Sequence, residues 1–264
     1  MIRKLKGVGD HFSTSLQHLG VGWDAVRFWD WHTRVRCLEP EVRLVQHLCE
    51  KNKRSIDIGM HTGMYLATAY PHSSGGVGFE PLPAIAALMR RAFRSYDVEI
   101  QQVALSDHNG QTEIRVPKGR PTRSTIATSN ALSDLTVDVD VFKVETRTLD
   151  SFDYRDIGFI KIDTEGHELE VLEGAKRTLE CNRPAILIEA EERHREGSVR
   201  GVATLLADLG YEGCFLREGR IEALAAFDPA TDQAEDSATP CVRNFMFLQP
   251  ERLDEFRARF ANAK

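Results

Sequence analysis

The sequence predicts a doubly wound α/β fold with a mostly parallel sheet, and three observations predict it. Short apolar runs alternate with stretches whose apolar residues recur at helical spacing. The first of these runs is followed by a turn holding Gly59 and Gly63. Four apolar runs end on an acidic residue, at Asp57, Glu80, Asp163 and Glu189. Ligands of such folds bind beyond the carboxyl ends of the strands, where the strand order switches. Four acids at those ends therefore predict one polar crevice along an edge of the sheet.

The elements follow in order. Arg54–Ile58 reads as a short buried strand, and Met64–Tyr70 as the helix after its turn. Gly76–Phe79 is the second strand. Pro83 stands where a helix begins, because its missing N–H costs nothing in a first turn. Ile85, Leu88, Met89, Ala92 and Phe93 then share one face. Val98–Leu105 reads as a third strand and Gly158–Ile162 as a fourth, followed by the stripe Leu169, Leu172, Ala175 and Leu179. Pro184–Glu189 is a further strand. Val199, Val202, Leu205, Leu206 and Leu209 form a helical face closed by Gly210. Val242–Leu248 is the last strand and Glu251–Ala261 the closing helix.

Two stretches interrupt the alternation. Residues 110–147 carry β-like alternation around a polar loop, Lys118–Asn130, with Arg115, Arg120 and Arg123 as solvated charge or as a hold on an anionic acceptor. Residues 225–240 are rich in Ala, Asp, Thr, Ser and Pro and predict a loop or lid. The organisation expected is an N-terminal helical extension over 1–50 and a main domain over 51–264. Within the extension, helical spacing fits parts of 23–36, and Pro40 opens another helix over roughly 40–52. Phe12, Trp23, Phe28, Trp29 and Trp31 either pack onto the main domain or wall a substrate cleft.

A chain of 264 residues, 42% hydrophobic, can bury the core of one large domain. Its net charge of -6 speaks against a nucleic-acid partner. The five cysteines, Cys37, Cys49, Cys181, Cys214 and Cys241, are odd in number, scattered and without a CxxC pair. A disulfide framework or cysteine zinc site is therefore not expected, and buried thiols in a reducing cytoplasm are. Met1–Lys6 is basic but leads into no apolar run, so neither a signal peptide nor a membrane span is expected. The apolar residues of the first 50 offer a surface for a homodimer.

The central string is Ser55-Ile56-Asp57-Ile58-Gly59-Met60-His61-Thr62-Gly63-Met64-Tyr65. Glycine lets the backbone turn tightly and approach a ligand, and the helix N-terminus behind it presents free N–H groups. The spacing G-x-x-x-G is neither the dinucleotide fingerprint nor a P-loop, which speaks against a nicotinamide oxidoreductase. Asp57 would repel a pyrophosphate. A zwitterionic amino acid suits the turn better, with the carboxylate organising its ammonium group and main-chain N–H groups facing its carboxylate. Glu80 follows at about the 20-residue offset from which an acid reaches ribose hydroxyls. Amino acid plus nucleoside describes S-adenosylmethionine.

These residues also carry a family resemblance. Asp57–Gly63 resembles the D-x-G-A-N-x-G turn of FkbM-type methyltransferases, with Met60-His61 in place of the usual Ala-Asn. Phe79-Glu80-Pro81 resembles the family's F-E-P, and Val103–Asp107 its A-L-S-D segment. Thr148-Leu149-Asp150 and Phe159–Glu168 are similar to its T-L-D and K-x-D-x-E-G-x-E strings. The resemblance spans about residues 54–190, in order and spacing. It implies a class I methyltransferase, Rossmann-like fold with a seven-stranded sheet. It further implies O-methylation of a hydroxyl, on a sugar or a polyketide-type product. It places cofactor contacts at Asp57, Gly59 and Gly63, at Glu80 for the ribose, and at Ala104, Leu105, Ser106 and Asp107 for the adenine side; His61, within the turn, is a further candidate contact.

Methyl transfer to a hydroxyl needs alignment of the nucleophile and removal of a proton. Asp163, His167, Glu189 and His194 are the candidate catalytic residues, clustered after two strands. Asp163 can instead orient the methionine part of the cofactor. His167 is a base near neutral pH or merely opens the next helix. Glu168 reads as a helix N-terminal charge. Asp163 with Glu189 or Glu191 offers oxygen ligands for a divalent cation such as magnesium. The acceptor expected is a glycan or glycosylated small molecule, with a polyketide or lipid as the rival. A non-catalytic cofactor-binding protein is the alternative of another class.

Overall fold

The computed structural model describes residues 39–132, 136–234 and 241–262. The expected helices over 23–36, their aromatic residues and positions 235–240 of the proposed lid lie outside the described residues.

A 3-10 turn at Pro40–Leu44 leads into helix α1, Val45–Leu48. The expected helix over 40–52 is thus shorter and half 3-10, ending as Cys49 turns extended. Strand β1 is Arg54–Ile58, α2 Met64–Ala69, β2 Gly76–Phe79, α3 Pro83–Ala92 and β3 Val98–Gln101. After an excursion over 104–147 the sheet resumes with β7, Ile157–Ile162, followed by α4, Glu168–Glu173, and α5, Lys176–Asn182. Then come β8, Ala185–Glu189, α6, Ser198–Asp208, β9, Glu212–Arg217, β10, Arg220–Ala223, and α7, Pro229–Asp232. Strand β11, Asn244–Leu248, and helix α8, Pro250–Asn262, close the chain.

The main sheet has eight strands, in the order β10-β9-β11-β8-β7-β1-β2-β3. Its parallel half runs from β3 to β8, and β11 pairs antiparallel with both β8 and β9. This is the expected class I architecture, enlarged from seven strands to eight by β10. That strand belongs to a hairpin the sequence reading passed over. The hairpin's two-residue turn, Glu218-Gly219, has positive φ at both positions (49° and 77°), which suits the twist of an antiparallel pair.

The strands alternate between two cores, as their two-residue period dictates. Ile160, Ile162, Ile186, Ile188, Phe245 and Phe247 face one side, against Val171, Leu179, Val202 and Leu206 of α4, α5 and α6. Phe159, Leu187, Met246 and Leu248 face the other, against Val45, Leu48, Leu253 and Phe256 of α1 and α8. Residues 42–48 therefore pack into the body of the domain. Each fully buried large apolar side chain contributes about 1.5–3 kcal/mol relative to exposure.

Residues 98–105 are not one strand. β3 ends at Gln101, and the chain then leaves the main sheet to form β4, Ala104–Leu105. This strand joins β5, Gly110–Pro117, and β6, Val139–Arg147, in a second sheet of order β4-β6-β5. The loop between β5 and β6 reaches back towards the carboxyl edge of the main sheet. Of the expected lid over 225–240, the described part is a 3-10 turn, Leu224–Ala226, and α7, whose cap Asp228 accepts the Ala230 N–H.

Candidate active site

Gly59, at φ 73°, turns the chain out of β1, and a Cβ there would land on the carbonyl oxygen of Asp163. Only glycine lets the turn pack so closely on the end of β7. The Gly59 and Met60 N–H groups both donate to the Phe79 carbonyl at 3.1 Å, and Gly63 N–H donates to Met60. Met60, which stands where the family has alanine, is buried against Leu66, Met89 and Ile100. Gly78 makes room for it: a Cβ at that position would strike the Met60 sulfur.

Asp57 is buried, and its Oδ2 accepts the Leu66 N–H at 3.0 Å. It thereby clamps β1 to the first turn of α2, so its part in the turn is structural as well as electrostatic. Burial pushes its carboxyl up to about 7, against the opposing pull of Lys161. Glu80, also buried, accepts His61 N–H at 3.2 Å and Leu82 N–H at 2.9 Å. Burial raises it to about 7 in spite of those two donors. His61 contributes through its backbone, at φ 40°. Asp57, Gly59, His61, Gly63 and Glu80 thus form one continuous turn stitched to the ends of β1 and β2.

Ala104 and Leu105 are buried in the second sheet. Ser106 Oγ lies 3.0 Å from both Asp107 Oδ1 and His167 Nε2. Asp107 is held below its usual carboxylate range, chiefly by its hydrogen bond with His108. The other nitrogen of His167 lies 3.6 Å from Glu170, and burial lowers its pKa. His167 is thus directed at the Ser106–Asp107 segment, not at Asp163 and Glu189.

A group that sequence reading left aside sits at the centre of the other half. Lys161, fully buried, donates to the Ile162 carbonyl at 3.1 Å and to Asn244 Oδ1 at 3.2 Å. Its ammonium lies 3.7 Å from Asp163 Oδ2 and 4.9 Å from the centre of the Tyr65 ring. Tyr65 donates to Glu39 at 2.6 Å. Burial acts to discharge this lysine, but Asp163, Glu189, Glu39 and Asp57 outweigh it and raise its pKa. Glu189 is displaced well above the carboxylate range, first by burial and then by Asp163. A lysine inside the apolar run Phe159-Ile160-Lys161-Ile162 was the available signal.

After β7 the chain makes a tight loop. Glu168 opens the next helix as expected; it is buried and also accepts from Thr164 N–H, Thr164 Oγ1 and Gly166 N–H at 3.0–3.1 Å, folding this loop. Glu165 takes a positive φ of 52°, and its carbonyl accepts Thr125 Oγ1 and Asn130 Nδ2, both at 2.8 Å. Its carboxylate lies 3.1 Å from His194 Nε2 and 3.4 Å from Arg123 Nε. Arg115 donates to the carbonyls of Ala127 and Asn130. The polar loop is therefore strapped to the β7 loop, with Arg115 and Arg123 engaged within the protein instead of held out for an anion. His194 is buried between Glu165 and Glu191.

The expectation of a divalent cation at Asp163, Glu189 and Glu191 does not fit these residues. Glu191 receives two hydrogen bonds of 2.6 Å from Arg193 and lies 3.2 Å from Arg243, while Lys161 occupies the side of Asp163. Among the described residues, no three such side chains converge as a metal site requires.

Strand order and site together define a Rossmann-like protein of the methyltransferase class. The methyltransferase FkbM domain model matches residues 57–212, from Asp57 into β9, and the chain belongs to that family. No curated protein matches the chain. Among solved structures it is similar to a methyltransferase FkbM from Methylobacillus flagellatus KT, at 16% identity and a TM-score of 0.49. That match covers 92% of this chain and 59% of the other, so the chain spans less than two thirds of that protein. It is also similar to a precorrin-6y C5,15-methyltransferase from Geobacter metallireducens, at 12% identity, 79% and 86% coverage and a TM-score of 0.43. A third is the N-methyltransferase NodS from Bradyrhizobium japonicum, at 9% identity, 82% and 98% coverage and a TM-score of 0.43. Among the described residues no helix is long and apolar enough to cross a membrane.

Proposed function

We propose that this chain transfers the methyl group of S-adenosylmethionine to a hydroxyl of a sugar, free or within a glycan or glycosylated metabolite. The observation that carries the reading is the stitched turn of Asp57, Gly59, Gly63 and Glu80, which lies within the family match. The donor set suits the cofactor: the turn faces its amino acid, buried Glu80 its ribose hydroxyls, and Ser106–Asp107 its adenine side. When bound, the cofactor supplies a sulfonium methyl already activated for displacement.

The chain's own residues then have to orient the acceptor and take its proton. Asp163 is the best placed to do so. Its side chain is 32% exposed at the end of β7, with the buried Lys161 ammonium 3.7 Å from its Oδ2. His167 and His194 have buried protein partners instead, so we assign them to holding the loops. Glu189 stands behind Asp163 as the second acid of the pocket. The cofactor site and the acidic pair support methyl transfer to oxygen; the sugar rests on the family resemblance alone.

The test is calorimetric titration with S-adenosylhomocysteine, followed by a methyl-transfer screen over sugars, glycans and polyketides. Wild type should bind, and Glu80→Ala should lose about tenfold or more of the affinity. Asp163→Asn should bind within a few-fold of wild type yet lose about 100-fold or more in turnover. Absence of binding by the wild type would reject the reading. Turnover with polyketides alone would replace the acceptor.

A further inference from the structure

Glu165 is held in a backbone conformation that a side chain rarely adopts. Its φ of 52° lies in the left-handed region, and Gly166 follows it at φ 103°, so the chain turns sharply just after Asp163. A non-glycine residue keeps such a conformation only where its surroundings fix it. Two buried side chains of the β5–β6 loop do so. Thr125 Oγ1 and Asn130 Nδ2 each donate to the Glu165 carbonyl at 2.8 Å. Neither donor is free to turn away. The Thr125 hydroxyl also accepts the Ala127 N–H at 3.0 Å, and Asn130 Oδ1 accepts the Leu132 N–H at 3.2 Å. Arg115 of β5 fastens the same loop through the carbonyls of Ala127 and Asn130. A Cβ at Gly166 would lie 3.4 Å from the Asn130 Cβ and 3.5 Å from that of Ala127, so loop and turn are in direct contact.

We infer that Asn130, together with Thr125, is a positioning residue for methyl transfer: from the small sheet it fixes the Glu165 carbonyl, and so sets the turn after β7 in the form that presents Asp163 to the acceptor. The peptide between Glu165 and Gly166 is gripped at both of its polar ends. Glu168 takes its N–H at 3.0 Å, and the two loop side chains take its carbonyl. Upstream, the Thr164 N–H is held by Glu168 and the Asp163 N–H by the Ile58 carbonyl. Arg123 and His194 anchor the Glu165 side chain, but they do not direct its carbonyl. Losing the loop donors would leave a buried carbonyl unpaired beside a strained residue. The turn then relaxes by rotating that peptide, and the Asp163 carboxylate moves with it. The inference rests on the reading of Asp163 as the group that takes the acceptor's proton.

Asn130→Asp tests this in the full chain, because it keeps the acceptor for Leu132 and removes the donor to Glu165. The amide protons of Thr164 and Gly166 should exchange with solvent about tenfold faster, while those of the cofactor turn keep their rates. S-adenosylhomocysteine should bind within a few-fold of wild type. With S-adenosylmethionine and the sugar that the acceptor screen returns, kcat/KM should fall about tenfold. The same substitution placed in Asp163→Asn should lower kcat/KM by less than about twofold, because the residue it acts through is gone. A merely structural asparagine would cost the same in both backgrounds. Thr125→Val should repeat the loss and Thr125→Ser, which keeps the hydroxyl, should restore the wild-type value; this pair decides if Asn130→Asp does not fold. Unchanged exchange at Thr164 and Gly166, or equal losses in the two backgrounds, overturns the inference and leaves the cofactor reading intact. Wild-type turnover by Asp163→Asn, or failure of the wild type to bind S-adenosylhomocysteine, overturns the underlying reading and the inference with it.

Discussion

The two halves of the crevice are built differently. On the cofactor side, polar groups are satisfied within a short stretch of chain: Asp57 by Leu66, Glu80 by Leu82 and by His61. On the side we assign to the acceptor, contacts also join distant segments: Lys161 with Asn244, and Glu165 with Thr125 and Asn130. The first half is a local device that one supersecondary unit can carry unchanged. The second is assembled from β7, β8, β11 and the loop of the small sheet. The contrast also explains why Met60 does not disturb the turn: Gly78, on the neighbouring strand, accommodates it.

The hardest blow to this contrast is struck where the halves touch. Gly59→Ala adds a methyl onto the Asp163 carbonyl at a φ of 73°, combining a clash with a strained backbone. We expect a loss of about 3 kcal/mol or more in stability and no detectable S-adenosylhomocysteine binding. Thermal unfolding and titration would read both. Wild-type behaviour would mean that the turn does not rest on β7.

A second effect belongs to the cofactor half. Asp57 and Glu80 are both raised to about 7 in the folded chain, above their values when unfolded. Between the ordinary carboxylate range and about 7, the folded state therefore holds protons that the unfolded chain has lost. Their contribution to stability is complete at acid pH and disappears as the pH rises through 7. The melting temperature should fall from pH 5.5 to 8, and Asp57→Asn should flatten that fall by on the order of a few kcal/mol. An unchanged slope would show that Asp57 titrates alike in both states.

The smallest effect separates the halves most cleanly. Thr125→Val removes one of the two donors to the Glu165 carbonyl and should cost about 1 kcal/mol. Affinity for S-adenosylhomocysteine should be unchanged, whereas the Michaelis constant for the acceptor found in the screen should rise. A matching loss of cofactor affinity would join the two halves into one.

The sequence by itself determined the α/β alternation, the glycine turn and the acids at the strand ends. These depend on periodicity, on steric freedom at single residues and on short offsets, all of which a linear pattern records. It even ended β1 and β2 where the chain ends them, and the family match begins at Asp57. The β9–β10 hairpin is equally local, its turn marked by Glu218-Gly219. Only the tertiary structure decided that residues 98–105 divide between two sheets. It alone turned His167 towards Ser106, spent Arg123 on Glu165 and Glu191 on Arg193 and Arg243, and placed one buried ammonium among the acids. The reason is physical: a charged group takes its role from whichever polar partner folding brings within a few ångströms, and Lys161 and its neutral acceptor Asn244 lie 83 residues apart.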